Sequence, residues 1–492
     1  MDTIQILTDK IIRKCRNAPI FFITPDVERG IGLEKILPNY HIICIDYNPI
    51  IDYMLQKNVN VFCLEKQSGK KDVKHRYSNY ILTHPLVQKY IKQKTKGGNG
   101  YLMFFKIAPN LEKTAKHMNL QVLNTTSSLN KKFELKISQY KQLKDLPLNL
   151  PKTIILTLKD ASYDVLRKEL GREFIIQFDR GHTGGGTKLI HTKDELKKLK
   201  DLFPNRIARI AEAINGTSYT MNACITKYGI AWGGLSCQLT GISESTAERF
   251  ATVGNDFHYP QYLSEKTVKE IDTSVRTVGE KMLQAGFKGM FGIDVIVDKK
   301  SDKVYVIEIN ARQPASISFY TKLQLLKKQI PLNLLAIAEY LDIDYKLDLE
   351  EYNVQAQEPI LAAQILIRNK HRSRAKILGS IKPGLYRLQG LNSAFEWTSG
   401  RPKIKQNVIS IDEDRDKPLI FTKETYAFND KKDAGFLLLC TQEGRIIRPN
   451  AEVARVQAKD SFLDKFGNLT YLVSQILLGL EKHVILRKIT HD

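Results

Sequence analysis

Gly292-Ile-Asp294-Val-Ile-Val-Asp298-Lys-Lys-Ser301-Asp-Lys-Val304-Tyr-Val-Ile-Glu308-Ile-Asn310-Ala-Arg312 is the stretch on which the reading of this chain turns. Two β-rich runs, 292–298 and 303–310, flank a polar segment, so the pattern predicts a hairpin with its turn centred near Ser301. In a hairpin symmetric about Ser301, residues equidistant from it face each other, and Asp294 stands opposite Glu308. Side chains alternate along a strand, so Asn310 shares the face of Glu308. Two carboxylates and an amide oxygen therefore converge. Like charges across a ladder repel, and something positive is expected between them. Hard oxygen donors of this kind suit Mg²⁺, or Mn²⁺, completed by waters and phosphate oxygens. The competing reading is a solvent-facing edge hairpin with incidental acids, against which Val304, Val306, Ile307 and Ile309 are too apolar. Arg312, two residues beyond Asn310, points to the same side and can meet negative charge on a transferred group.

Upstream, Phe174-Ile-Ile-Gln177-Phe-Asp179-Arg-Gly181-His-Thr-Gly184-Gly-Gly186-Thr-Lys188 places a glycine-rich loop between two predicted strands. Glycines let a backbone approach a ligand and turn its N–H groups inward, which suits a phosphate cradle. Glycine-rich hairpin loops without a ligand are also common. The loop is not a Walker A motif, because the order is Gly-Thr-Lys and a strand follows where a helix should begin.

Further upstream still, short apolar runs at 20–24, 41–46, 59–64, 101–107 and 120–123 alternate with helical or polar segments. Apolar strands joined by crossovers predict a parallel sheet covered on both faces, a Rossmann-like layer. Gly30-Ile-Gly32 follows the first run, but the third glycine of a dinucleotide fingerprint is missing. Leu146-Pro-Leu-Asn-Leu-Pro151 marks a domain edge. A helix from Glu265 with Val268, Ile271, Val275, Val278 and Met282 on one face should end near Gly286. The acidic stretch 342–358 is expected to separate a third region, with strands near 361–367 and 436–441 and a last amphipathic helix around 469–485. The expected fold class is α/β (α+β), in three parts: residues 1–125, 126–341 and 359–492.

At 492 residues the chain is long enough for about three domains, and its composition is that of an ordinary globular protein, 42% hydrophobic and 26% charged. That excludes a disordered chain and a disulfide knot. The 75 Lys and Arg against 53 Asp and Glu give a net charge of +22. The excess is spread as +9, +6 and +7 over residues 1–130, 131–350 and 351–492, so there is no basic tail, and charge runs of mixed sign read as solvated faces. Nucleic acid is an improbable partner on that count, though a patch assembled in three dimensions stays open. Six cysteines without close spacing read as buried reduced thiols. No apolar run of transmembrane length and no secretory signal is found, so a cytoplasmic protein without membrane contact is expected.

Taken together, a Rossmann-like preface, a glycine-rich loop between strands and an acidic hairpin closing in Glu308-Ile-Asn310-Ala-Arg312 resemble the ATP-grasp superfamily. The likeness is nearest to its biotin carboxylase-like and carbamoyl phosphate synthase-like branch, over roughly residues 15–340. The resemblance implies ATP as cosubstrate with Mg²⁺ (or Mn²⁺) held by Asp294, Glu308 and Asn310. It puts Arg312 at the reacting phosphoryl or acyl group and Gly184, Gly185 and Gly186 in the flap over the phosphates. It makes Lys136 the nucleotide-binding lysine before the grasp domain, Ile214 and its neighbours the hinge that meets adenine, Glu212 a ribose contact, and Gln238 a phosphate contact.

The chain departs from the family pattern at three places. Gln177 stands where a second lysine usually ends the strand before the glycine loop; Arg180, His182 or Lys188 are the candidates to replace its charge. Gln313-Pro-Ala-Ser316 stands where biotin carboxylases place the acid that activates bicarbonate. The His and Lys expected shortly after Gln238 are absent, so biotin carboxylation is not expected. The implied activity is an ATP-dependent ligase that activates a small carboxylate as an acyl phosphate and passes it to an amine or another nucleophile. A nucleotide- or nucleic-acid-binding protein that has lost turnover is the alternative, and a phosphotransferase is a third reading. Assembly as a homodimer is left open.

Overall fold

The computed structural model describes residues 3–69, 76–179, 186–389, 419–428 and 433–489. The first five strands, β1 (Ile20–Ile23), β2 (Tyr40–Cys44), β3 (Val61–Cys63), β4 (Tyr101–Phe104) and β5 (Gln121–Val122), form one parallel sheet in the order β3-β2-β1-β4-β5. Alternation decides what covers it. Ile20 and Phe22 of β1 face one apolar cluster, and Phe21 and Ile23 face another, so both sides of the sheet are dry. The helix Thr3–Cys15 presents Ile4, Leu7, Ile11 and Cys15 to the first cluster at steps of three and four.

A four-stranded antiparallel sheet follows, made of β6 (Thr153–Thr157), β7 (Phe174–Gln177), β8 (Thr187–Ile190) and β9 (Ile207–Glu212) in the order β6-β9-β7-β8. Its helix Lys193–Leu202 begins at a capping box, Thr192 accepting from the Glu195 amide while the Glu195 carboxylate accepts from the Thr192 amide.

The largest sheet contains β10 (Gly216–Thr226), β11 (Gly229–Thr240), β12 (Thr252–Asp256), β13 (Gly289–Asp298), β14 (Val304–Asn310) and β15 (Ala363–Arg368). After β16 (Ala375–Ile377) come β17 (Gly384–Leu388), β18 (Leu419–Lys423), β19 (Phe436–Cys440), β20 (Ile446–Ile447), β21 (Glu452–Ala458) and β22 (Leu486–Lys488). Among the described residues the order is β14-β13-β10-β11-β12-β15-β21-β19-β17-β18, one sheet of ten strands; β20-β16-β22 form a small separate one. The helix Glu265–Gln284 lies on this sheet through Ile271, Val275, Val278 and Met282 and stops just before Gly286, at φ +84°. At Gly279 a Cβ would meet Ile230 of β11 at 2.8 Å, so only glycine allows that approach.

The acidic stretch does not form a bare separator. Its helix Leu349–Gln357 packs on β11, where Asn353 accepts from the Trp232 amide and donates to the Ile230 carbonyl. Beside it β12 pairs directly with β15, so the sheet is continuous from the acidic hairpin into the C-terminal strands. Gly254 sits at that seam, where a Cβ would fall 2.0 Å from the Gln364 carbonyl oxygen. All six cysteines are buried and unbridged, and no helix among the described residues is long and apolar enough to cross a membrane.

Candidate active site

The acidic hairpin forms with the expected pairing at its functional end. Asp294 pairs with Glu308 and Gly292 with Asn310. Asp298 builds the turn by accepting from the Lys300 and Ser301 amides and the Ser301 hydroxyl. The symmetry breaks just past the site, because Val295 pairs with Val306 and Ile307 has no ladder partner. This is a bulge, which re-aims the backbone locally. The freed Ile307 carbonyl accepts from Arg209 Nη1 at 3.2 Å, across from the four-stranded sheet.

Around the carboxylates each polar group is held by a neighbour. Thr220, opposite Asp294 on β10, donates to its Oδ1 at 2.7 Å, and Gln238 Nε2 donates to Thr220 Oγ1 at 2.5 Å. Asn310 Nδ2 donates to Asp294 Oδ2 at 3.1 Å, while Asn310 Oδ1 accepts from Arg312 Nη2 at 2.9 Å. Burial first, and the facing Glu308 charge second, push the Asp294 carboxyl up to about 6; Thr220, Lys136 and Asn310 pull against them. Two opposed carboxylates with one ionisation disfavoured form a donor set that a hard divalent cation would relieve. Among the described residues no group of three or more His, Cys, Asp or Glu gathers that could hold a metal ion by itself. Two carboxylates and an amide oxygen are hard donors of the kind Mg²⁺ takes when water and phosphate complete its shell.

Lys136 is the first residue of the helix Lys136–Leu143. Two contacts fix that helix. Gln139 Oε1 accepts from the Ile309 amide at 2.6 Å, and the Asp179 carboxylate, just past β7, accepts from the Ile137 amide at 2.8 Å. The Lys136 ammonium thereby reaches Glu308, 2.5 Å from its Oε2, in an ion pair that lacks hydrogen-bond alignment. The preceding helix, Ser127–Glu134, holds the other end of the motif: Asn130 donates to the Ala311 carbonyl, and Glu134 Oε1 accepts from Arg312 Nε at 2.9 Å. Burial raises the Glu134 carboxyl, but Arg312 and Lys106 together outweigh it and hold it below its ordinary value. Arg312 also lies over the Phe105 ring, 4.7 Å from its centroid.

Gln177 ends β7 with its side chain between Thr187 of β8, to which Nε2 donates at 3.3 Å, and Arg209 of β9, from which Oε1 accepts at 3.5 Å. The Gly186 carbonyl closes the same hairpin by accepting from the Phe178 amide. Gly184 and Gly185 lie outside the described residues, as do Arg180 and His182. Glu212 is the last residue of β9 and accepts from the Lys152 amide at 2.8 Å; alternation puts it on the face opposite Arg209, away from the carboxylate pair. Ile214 is half-buried in the short loop joining β9 to β10.

Other polar groups escape a reading of the sequence. Arg209 is 3% exposed, and burial lowers its pKa against the opposing pull of Glu308 and Tyr140. Its signal was a charge inside the apolar run Ile207-Ala-Arg209-Ile-Ala. A row of amides also crosses the large sheet from Gln238: Asn255, Gln364 and Gln457 stand in register on β12, β15 and β21. Gln457 Nε2 donates to Gln364 at 3.2 Å, Gln364 Nε2 to Asn255 at 3.4 Å, and Asn255 Nδ2 to Ser236 at 3.1 Å. The row ends at Lys322, whose buried ammonium donates to Gln457 Oε1 at 2.7 Å. Burial, with Lys35 and Arg455 nearby, lowers the Lys322 pKa to about 7. A lone lysine in the apolar helix Ile317–Leu326 was its only mark in the sequence.

Comparison with known proteins bears on the domain and the fold. Residues 134–316 match the sequence model of the ATP-grasp domain. Over 96% of its length the chain superposes on 92% of biotin carboxylase from Campylobacter jejuni, with a TM-score of 0.57 at 13% identity. It covers 95% of its length on carboxyaminoimidazole ribonucleotide synthase from Aspergillus clavatus, complexed with ATP, with a TM-score of 0.52 at 11% identity. A curated relative, the butirosin acyl-carrier protein–L-glutamate ligase of Niallia circulans, is 25% identical over 143 residues. That match spans 28% of this chain and about a third of the relative's length, 32%. Residues 134–316 thus match the ATP-grasp domain, and the fold of the chain as a whole is like that of biotin carboxylase.

Proposed function

We propose that the protein is an ATP-dependent ligase that forms a carbon–nitrogen bond through an acyl phosphate. The observation that carries the reading is the pairing of Asp294 with Glu308, with Asn310 and Arg312 tied to the same cluster. Asp294, Glu308 and Asn310 would hold Mg²⁺, which when bound neutralises phosphate charge and aligns the transferred group. In the reaction a carboxylate oxygen of the substrate attacks the γ-phosphorus and ADP leaves; an amine then attacks the acyl carbon, loses a proton, and phosphate leaves. Arg312, aimed by Glu134 and Asn310, stabilises the charge on the phosphoryl and acyl oxygens. Lys136, now spent on Glu308, is free to turn to a nucleotide phosphate once a metal takes that carboxylate.

In this reading residues 1–125 and 359–492 flank the grasp unit 126–341 and build the acceptor site. The amide row from Gln238 to Lys322 supports that, because it carries polarity from the carboxylates toward the C-terminal strands. The name of the Niallia circulans relative favours an amino acid, or an acyl group on a carrier, among the substrates to try first.

The test is a screen of amino acids, small carboxylates and acylated carrier proteins for stimulated, Mg²⁺-dependent ADP release, repeated with Glu308→Gln. Stimulated release by the native protein that falls at least about 100-fold in the variant is expected. Release at the original rate in Glu308→Gln sinks the metal-site assignment.

A further inference from the structure

Arg209 is a buried guanidinium with no anion bonded to it; Glu308 acts on its charge only from beyond contact. Among the described residues no carboxylate lies within ion-pair distance. Its Nη1 is shared between two neutral oxygens, Ile307 O at 3.2 Å and Gln177 Oε1 at 3.5 Å, and its Nε is buried without a hydrogen-bond partner. Tyr140 lies alongside, its ring centroid 5.5 Å from Cζ. A cation taken out of water without a contacting counter-charge is costly, and such a residue persists where a ligand can supply that contact. Its position says what. Arg209 is the register partner of Gln177 across β7 and β9, so the two side chains leave the same face of the small sheet. That face looks across to Ile307 and Glu308 of the acidic hairpin, where Lys136 also stands.

We propose that Arg209 is a nucleotide-phosphate ligand of this protein, supplying from β9 the positive charge that Gln177 cannot supply from β7, with Gln177 Oε1 orienting the guanidinium. The inference rests on the ATP reading above and deepens it. It accounts for three observations at once: the neutral amide at the end of β7, the charge on β9 that no carboxylate contacts, and the bulge that frees the Ile307 carbonyl to hold the guanidinium until an anion arrives. A guanidinium offers a fork of parallel donors to phosphate where an ammonium offers a point charge, so the exchange also changes the geometry of the contact.

The experiment is calorimetric titration of the full chain with ATP, ADP and adenosine, in Mg²⁺, for the native protein, Arg209→Met, Arg209→Lys and the double variant Gln177→Lys/Arg209→Met. Arg209→Met is expected to weaken ATP and ADP by about 10- to 100-fold, the range of a charge-assisted hydrogen bond, and to leave adenosine within about twofold. The double variant is expected to recover most of that loss, because it returns a cation to the same face one strand away. Equal loss for adenosine and ATP would mean a structural residue and overturn the proposal, as would ATP affinity unchanged in Arg209→Met. If Arg209→Met does not fold, Arg209→Lys decides: a lowered melting temperature with unchanged ATP affinity overturns the proposal, and a loss confined to ATP and ADP supports it. Absence of ATP binding to the native protein overturns the ATP reading itself, a result distinct from all of these.

Discussion

Asp294→Asn should make the metal-free protein more stable while removing its response to Mg-ATP. Folding places Asp294 in a buried site facing Glu308 and moves its carboxyl from 3.8 to about 6. Because the folded value is the higher one, ionisation is what folding disfavours: there is no penalty below about pH 4, a growing one between 4 and 6, and the full one above. A shift of roughly two units corresponds to about 3 kcal/mol at pH 8. An asparagine removes that repulsion, but it cannot accept from both Thr220 and Asn310, which costs about 1 kcal/mol. The net gain is about 2 kcal/mol, a rise of a few degrees in melting temperature. Differential scanning fluorimetry of both proteins from pH 4 to pH 8, in EDTA and again with Mg²⁺ and ATP, measures it. In EDTA the variant should melt slightly lower than the native protein at pH 4, the two curves crossing at about pH 5 and the variant ending higher. With Mg²⁺ and ATP only the native protein should gain appreciably. A separation independent of pH, or a variant less stable at pH 8, refutes the account of the site as two carboxylates held together for a cation.

Other contacts make claims of their own. Glu134→Gln, by loosening the salt bridge that aims Arg312, should lower kcat by about 10-fold while leaving the KM for ATP within about twofold, read from steady-state ADP release. Asp256, wholly buried, accepts from five groups, the His258, Tyr259, Phe462 and Leu463 amides and the Ser461 hydroxyl. Asp256→Asn should cost about 2 to 4 kcal/mol in urea denaturation, and a loss under about 0.5 kcal/mol would contradict its role as an anchor. Arg445 is buried between Asp46 at 2.7 Å and Glu65 at 2.9 Å, joining the C-terminal strands to the parallel sheet. Removing it in Arg445→Met leaves the buried Glu65 without its counter-ion, while Asp46 keeps Arg76, and should cost about 3 to 5 kcal/mol by the same measurement. Glu28 is pushed up to about 7 by burial, then by Asp26 and Glu452, against Arg455. Its folded value exceeds the unfolded one, so the native protein should lose stability relative to Glu28→Gln as pH climbs from about 4.5 to 7; parallel melting profiles would rule that out.

What could be read in advance from the sequence follows the range of the interactions. The acidic hairpin was legible because its turn is built locally: Asp298 and Ser301 fix where the chain reverses, and a period of two does the rest. The parallel sheet was legible because strands covered on both faces are apolar throughout. The bulge at Ile307 was not, since the group that meets its freed carbonyl, Arg209, lies on a strand about a hundred residues earlier. Nor was the exchange of charge between Gln177 and Arg209, which exists only once β7 and β9 are paired in register. Lys136 came from resemblance alone; its tie to Glu308 needed Gln139 and Asp179 to set the helix. The pairing of β12 with β15 crosses more than a hundred residues, and no local pattern announces it.

That last pairing bears on how the protein can be dissected. A fragment ending before β15 would strip one side of β12 of its hydrogen-bonding partner and leave Gly254, Asn255 and Asp256 on an unpaired edge of the sheet. Unpaired borders of this kind recruit other chains. The segment that carries the acidic hairpin and the segment beyond residue 358 are thus one folding unit across a shared seam, and trimming the chain to its family-matched core should yield aggregates in place of a folded minimal domain.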